Sequence, residues 1–287
     1  LEVGDVVLNG KYEINKVVHT SGMSNVYLVL DNSLNKVWCL KEIKKSESGK
    51  NKVEYHSLLQ EANIMKGLNH ASIPRIVTIE EDGDSLFIVM DYVEGVSIKN
   101  WIQKKQRIKQ DVVVTWMRQI CQVMIYLHNR PQPIFYRDMK PDNIMIQSDG
   151  NIKVIDFGIS LVIKEPGQLI ARALGTKGYA APEQSKSGLP CDLRSDIYGI
   201  GMTMYYMLTG LNPSRIPREK LRSIRDIDSS ISMGIDKIVE KCIQENPDNR
   251  YQSCEELLYD LQNYEILDTE YRTKARRKVN SVLALYF

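Results

Sequence analysis

Long apolar runs are missing from this 287-residue sequence: no stretch approaches the ~18–20 consecutive apolar residues needed to span a bilayer. No signal-peptide pattern opens it. Histidine is scarce. His19, His56, His70 and His128 make no H-x-x-x-H pair and have no cysteine at zinc spacing, which argues against a structural metal site. The cysteines (Cys39, Cys121, Cys191, Cys242, Cys254) contain no C-x-x-C pair. An odd, scattered set points to a reducing compartment, with each thiol acting as a small buried hydrophobe. An excess of one charge is also lacking. Lysine and arginine number 38 against 36 aspartates and glutamates, and a net +2 does not suggest a nucleic-acid partner. With 17 glycines and 10 prolines there is too little of either for a low-complexity linker protein.

What is present is ordinary for a soluble enzyme: 43% hydrophobic and 26% charged residues, which excludes disordered, collagen-like and disulfide-scaffold classes. A mass of 33.0 kDa allows one large domain or two lobes. The first ninety residues read mainly as strands over Lys11–Thr20, Asn25–Asp31, Lys36–Ile43, Arg75–Glu81 and Ser85–Asp91. One helix interrupts them over Asn51–Leu68, where Val53, Leu58, Ala62 and Met65 fall at helical spacing. Asp91–Gly95 reads as a linker. The remainder is helical over Asp111–Asn129, Arg194–Thr209, Pro217–Ile224, Ile235–Glu245 and Ser253–Tyr264. A strand-turn-strand, Ile144–Gln147 and Ile152–Ile155, separates the first two of these. Arg194–Thr209 is apolar nearly throughout and is expected as a buried central helix. The expected architecture is a small β-rich lobe (residues 1–93), a larger α-rich lobe (94–265) and a tail (266–287), with the ligand site between the lobes.

The strongest chemical signal is Tyr136-Arg137-Asp138-Met139-Lys140-Pro141-Asp142-Asn143, followed by Asp156-Phe157-Gly158 and Ala181-Pro182-Glu183. In order and spacing these resemble the catalytic loop, metal-binding motif and activation-segment end of the protein kinase family. The resemblance covers about Tyr12 to about Tyr264. It implies an α+β, two-lobed fold: a five-stranded antiparallel sheet with one helix in the N-lobe and a mainly helical C-lobe. It also implies ATP as phosphoryl donor and magnesium as the metal, with manganese as a substitute. Lys140, two residues after Asp138, is similar to the serine/threonine kinases, so protein serine and threonine hydroxyls are the expected acceptors.

Carried over residue by residue, the resemblance makes Asp138 the acceptor of the hydroxyl proton and Lys140 a cation against the transferring phosphate. Asn143 and Asp156 are hard oxygen ligands for the metal. Lys41 resembles the strand lysine on the α- and β-phosphates, with Glu61 as its partner. Cys39 takes the place of the usual alanine above the adenine. Met90 falls at the gatekeeper position, Asp91 and Val93 offer backbone groups to the adenine edge, and Met145 floors the ring; Met90 and Met145 are equally readable as core residues. Thr176 would hydrogen-bond Asp138 and Lys140, Asp196 would brace the catalytic loop, and Glu183 would pair with Arg250.

Two features depart from the family. The phosphate loop, Val18-His19-Thr20-Ser21-Gly22-Met23-Ser24-Asn25-Val26, has His19, Ser21 and Ser24 where the pattern places glycine. Added β-carbons hinder close backbone approach to phosphate. His19 reads either as an extra cation near the phosphates or as a solvent-facing strand residue. The stretch Gly22–Tyr27 still resembles bacterial receptor-type (PASTA-type) serine/threonine kinases. An ATP-binding pseudokinase or scaffold is the rival reading, resting on this loop alone; a small-molecule kinase fits the docking segment Gly175–Glu183 less well.

The end of the chain is basic at Arg272, Lys274, Arg276, Arg277 and Lys278, then apolar over Val279–Phe287. This resembles a cytoplasmic juxtamembrane boundary, with the chain as the cytosolic part of a single-pass membrane protein anchored by a segment after Phe287. A tail docked on the kinase or on a second copy in a homodimer, and a disordered end, are the alternatives.

The second departure concerns regulation. Leu161–Gly175 holds no serine, threonine or tyrosine. Arg137 therefore has no phosphoacceptor in that stretch to meet, and Glu165 offers a fixed negative charge instead. Phosphosite mapping after incubation with Mg-ATP is expected to find no activating site there. A dominant site at Ser160 or Thr176 whose removal abolishes activity would overturn this.

Overall fold

The computed structural model describes residues 1–20, 24–44, 62–105, 107–156, 161–162, 175–185, 191–271 and 273. They divide into two units, Leu1–Gly95 with Gln147–Asp149, and Val96–Ile146 with the chain from Gly150 onward.

The first unit is built on an antiparallel sheet of β1 (Val6–Val7), β2 (Tyr12–Thr20), β3 (Ser24–Asp31), β4 (Lys36–Lys44), β5 (Ile76–Asp82) and β6 (Ser85–Asp91), in the order β1-β2-β3-β4-β6-β5. Six strands stand where five were expected. The extra one is short: Val6 and Val7 pair with Glu13 and Tyr12, too few residues to show an alternating pattern. The β3–β4 hairpin is closed by Asp31, whose Oδ1 accepts from Ser33 N (3.0 Å) and Leu34 N (3.1 Å), the local bonding that favours Asp in turns.

Side chains alternate across the sheet with period two. On one face Tyr12, Ile14, Tyr27, Val29, Trp38, Leu40, Phe87 and Val89 form the buried core. That face also carries a polar cluster: Glu42 accepts from Asn25 Nδ2, Tyr27 OH and Ser85 Oγ, each at 2.9 Å. Burial pushes the Glu42 carboxyl up, but the three hydrogen bonds outweigh it and hold it below the usual carboxylate value. Burial and the bond to Glu42 push the Tyr27 phenol up to about 12. The opposite face is covered near Leu86 and Ile88 by Ala62, in helix α1, which is described over residues 62–66.

The second unit is centred on helices. α2 (Ile98–Lys105) is followed by α3 (Gln110–His128), which buries Val113, Trp116, Met117, Ile120, Val123, Met124 and Leu127 on one stripe. α4 is Pro182–Ser185. α5 (Arg194–Thr209) is buried from Ser195 to Leu208 and lies against α3 and α7 (Met233–Cys242). Gly201 allows that approach: a Cβ there would stand 2.5 Å from Cys242 Cβ. α8 (Cys254–Gln262) packs on α3. A helix expected over residues 217–224 is instead a 3-10 turn, Arg218–Lys220, and a separate helix α6, Ile224–Ile227. The chain is extended at Leu221, and Ser223 caps the new helix while Asp236 accepts from Ile224 N (3.0 Å).

Short strands complete this unit: β7 (Val96–Ser97), β8 (Ile134–Phe135), β9 (Ile144–Ile146), β10 (Ile152–Val154) and β11 (Leu161–Val162). They form a β10-β9-β7 sheet and a β11-β8 pair. Residues 264–271 form helix α9, so the region assigned to a tail from residue 266 starts as helix. Asp268 Oδ1 accepts from Met233 N (2.6 Å) and Gly234 N (3.3 Å), tying α9 to the start of α7. Arg272, Lys274, Arg276, Arg277, Lys278 and Val279–Phe287 lie outside the described residues. Among the described residues no helix is long and apolar enough to cross a membrane.

A buried ion pair locks the second unit. Arg250 Nη1 and Nη2 meet Glu183 Oε1 (2.7 Å) and Oε2 (2.9 Å), and Ser195 Oγ adds a bond to Oε1 (2.6 Å). Burial raises the Glu183 carboxyl, yet Arg250 and Ser195 hold it below its ordinary value. Arg250→Ala is expected to cost roughly 3–5 kcal/mol in urea unfolding, because it leaves a buried carboxylate without its cation. Glu183 and Glu42 both lie below their unfolded values. Their stabilisation should therefore be complete above about pH 5 and decline as the pH falls below about 4.

Candidate functional site

The second unit brings four of the expected residues into one hydrogen-bonded cluster. Asp138 Oδ1 accepts from Thr176 Oγ1 (2.7 Å) and Thr176 N (3.1 Å). Asp138 Oδ2 meets Lys140 Nζ at 2.5 Å, and the same ammonium donates to Thr176 Oγ1 (2.7 Å). Asn143 Nδ2 donates to the Asp138 carbonyl (2.9 Å) and approaches Oδ2 (3.3 Å). Asp138 and Lys140 keep 28% and 19% side-chain exposure, so an incoming hydroxyl can reach them.

Local sequence explains how this loop is held. It runs from β8 to a 3-10 turn, Pro141–Asn143, in which proline fixes the first residue. Arg137 sits at φ 71°, a conformation non-glycine residues adopt only when their surroundings impose it. Here the surroundings are Asp196, near the start of α5. Its fully buried carboxylate accepts from Tyr136 N (2.9 Å) and Arg137 N (2.7 Å) and contacts His128 Nε2 (2.9 Å). Gln184 Nε2 donates to the Arg137 carbonyl (3.0 Å) and its Oε1 accepts from Ala181 N (2.9 Å), joining the loop to α4.

Asp156 follows the β9–β10 hairpin. Ile144 pairs with Val154, and Ile155 N donates to the Asn143 carbonyl (2.8 Å), so Asn143 and Asp156 stand at the same end of the hairpin. Tyr136 OH donates to the Ile155 carbonyl (2.7 Å) and so fixes the residue preceding Asp156. Burial, together with the charges of Asp156 and Asp138, pushes this phenol far above its ordinary value, so it keeps the proton it donates. Met145 lies on β9, paired with Lys153 and Ser97.

In the first unit the strand register groups the expected nucleotide residues. Val26 pairs with Lys41 and Lys41 with Ile88; Leu28 pairs with Cys39 and Cys39 with Met90. Directly paired residues share a face, so Val26, Cys39, Lys41 and Met90 lie on one side of the sheet, the side against which Ala62 packs. The neighbouring Glu61 lies outside the described residues, as do Ser21, Gly22, Met23, Phe157–Ser160 and Glu165. Asn25 does not share the Val26 face; its side chain is buried in the Glu42 cluster. Val18, His19 and Thr20 are exposed on β2, Ser24 is half-buried at the start of β3, and His19 pairs with Val26. Asp91 N donates to the Arg75 carbonyl (3.0 Å) and its carboxylate pairs with Arg75 Nε (3.0 Å); Val93 is buried.

The motifs alone did not point to His128, Gln184 or the Tyr136 hydroxyl bond. His128 is the last residue of α3 and carries no local signal of its partner.

Comparison with known proteins places the description "Protein kinase domain" on residues 12–262. A probable serine/threonine-protein kinase of Clostridium acetobutylicum is 31% identical over 268 residues, covering 90% of this chain and 40% of that protein. PrkC of Bacillus subtilis, a serine/threonine-protein kinase, is 30% identical, covering 88% of this chain and 40% of its own length. PknB of Mycobacterium tuberculosis, also a serine/threonine-protein kinase, is 30% identical with 88% and 43% coverage. The chain thus spans about two fifths of these relatives. The crystal structure of Rad53 1–466 in complex with AMP-PNP superposes with a TM-score of 0.71 at 25% identity, over 87% of this chain and 64% of that one.

Asp196→Asn tests the brace. The substituted amide offers one acceptor where the carboxylate serves two amides, so one buried N–H is left unpaired. A stability loss of about 1–3 kcal/mol in thermal or urea unfolding is the expected outcome.

Proposed function

The chain belongs to the protein kinase family and shares its fold class, and on that footing we propose that it is a serine/threonine protein kinase transferring the γ-phosphoryl group of ATP to protein hydroxyls. The observation that carries the reading is the half-buried cluster that Asp138, Lys140 and Asn143 of one loop form with Thr176 of a second segment.

Phosphoryl transfer needs positioning and charge neutralisation more than covalent chemistry. The Asp138 carboxylate is the base. It takes the proton of a serine or threonine hydroxyl as the oxygen bonds to the γ-phosphorus and the bond to ADP breaks. Lys140 places an ammonium beside that carboxylate and offsets charge on the phosphoryl group. Thr176 joins base and ammonium through one hydroxyl, holding both in register for the acceptor.

The donor set fits magnesium. Asn143 turns its amide nitrogen to Asp138, which leaves the carbonyl oxygen to face a cation, and Asp156 at the same hairpin end adds a carboxylate. Bound there, magnesium would neutralise phosphate charge. Lys41, on the sheet face with Val26, Cys39 and Met90, would hold the α- and β-phosphates, with Glu61 as its partner. These residues carry the family's chemistry and disfavour a scaffold without transfer activity.

Transfer of label from γ-labelled ATP to a protein substrate tests the reading. Asp138→Asn is expected to reduce the rate by about 10²–10⁴-fold. Nucleotide binding, followed by fluorescence titration, should change far less. Equal transfer by both proteins would sink the proposal.

A further inference from the structure

The chain next to Thr176 is both fixed and basic. Thr176 is held on Asp138 and Lys140, and the next residue, Lys177, is exposed. Its carbonyl accepts from Ser214 Oγ (2.6 Å). Gly178, at φ +86°, lies so close to that segment that a Cβ would stand 2.5 Å from Ser214 N and 2.6 Å from the Pro213 carbonyl carbon. The opposing segment is a 3-10 turn, Pro213–Arg215, closed by Asn212 Oδ1 accepting from Ser214 N (2.9 Å). The turn after Thr176 is therefore clamped on Pro213–Ser214, and an exposed cation stands immediately beside the clamp on each segment: Lys177 and Arg215.

Among the described residues neither side chain has a hydrogen-bond or ion-pair partner. The three arginines that follow are engaged, while Lys220 is exposed like Lys177 and Arg215. Arg218 binds the Ile243 carbonyl (3.1 Å) and approaches Glu245 (3.8 Å), Arg222 binds the Asp226 carbonyl (2.6 Å), and Arg225 binds the Ile231 carbonyl. Neither the acids of the Asp138 loop nor the one that follows Arg215 pairs with Lys177 or Arg215. Asp138 is paired with Lys140, Asp142 with Lys99 (2.5 Å), and Glu219 is the one acid in Arg215–Arg225.

An extended peptide advances about 3.3 Å per residue, so with its hydroxyl at Asp138 the next two or three residues pass within reach of a lysine or arginine beside Thr176. We propose that Lys177 and Arg215 form an anion-reading site that selects substrates carrying an acidic or phosphorylated side chain within about three residues of the acceptor hydroxyl. The proposal rests on the kinase reading above and names the class of substrate for that site.

The test measures kcat/KM on serine peptides that differ at a single flanking position, bearing Glu, phosphoserine, Gln or Lys, over about three positions on each side. Wild type is expected to favour Glu over Lys about tenfold or more at one or more positions, less so at high salt. The double variant Lys177→Glu with Arg215→Glu should lose or reverse that ratio, and Lys177→Arg with Arg215→Lys should keep it. Because each ratio is taken within one protein, a general loss of activity does not imitate the effect. Phosphoserine preferred well above Glu identifies a phosphorylated neighbour as the source of the anion; equal rates identify a carboxylate. An active wild type with no preference, or a preference untouched by charge reversal, overturns the proposal. A wild type that phosphorylates no peptide or protein overturns the kinase reading and this proposal together.

Discussion

One buried carboxylate carries the geometry of the Tyr136–Asn143 segment. Asp196 is fully buried and accepts from two successive backbone amides, those of Tyr136 and Arg137, while a third contact reaches His128. Two adjacent amides can point at one carboxylate only if the chain turns sharply, and Arg137 at φ 71° is that turn. The conformation is strained for arginine, and the surrounding bonds keep it. Asp138, next in the chain, is thereby directed toward Lys140 and Thr176.

That brace works only if α5 is itself immobile. The helix is buried along nearly its whole length, and Gly201 lets α7 approach to a distance a side chain would forbid. Glu183 and Arg250 fasten the segment before α5 to the one before α8, with Ser195 joining the pair from the first turn of α5. Polar and apolar constraints therefore meet at the start of one helix, and both are needed. The packing fixes where α5 lies, and the hydrogen bonds fix what its first turn holds.

The first unit separates its core from the candidate nucleotide residues by parity. Even-numbered β4 residues, Trp38, Leu40 and Glu42, point to the core with its polar cluster around Glu42. Odd-numbered Cys39 and Lys41 point to the other face with Val26 and Met90. A one-residue slip in register would exchange the two sets. The Glu42 cluster stands against that slip, because a carboxylate with three donors has no equivalent on the opposite face.

Sequence alone determined the long elements and named the candidate site residues. Arg194–Thr209 was legible because it is apolar nearly throughout after its first turn, and the strands of the first unit because alternation and turn residues agree. The motifs singled out Asp138, Lys140, Asn143, Asp156 and Thr176 as candidates, and the fold brings four of them into one hydrogen-bonded cluster. Tertiary structure decided the rest. The two-residue strands β1, β7, β8 and β11 exist only through their partners, and α2 is too short to declare itself although Ile98 and Ile102 are buried. Ser223 and Asp236 divided one expected helix into two. His128 meets Asp196 across 68 residues, and Gly178 meets Ser214 across a clamp that no local pattern announces. Local sequence sets what a segment prefers; which distant group will satisfy a buried donor or leave room for a backbone is settled only when the chain is packed.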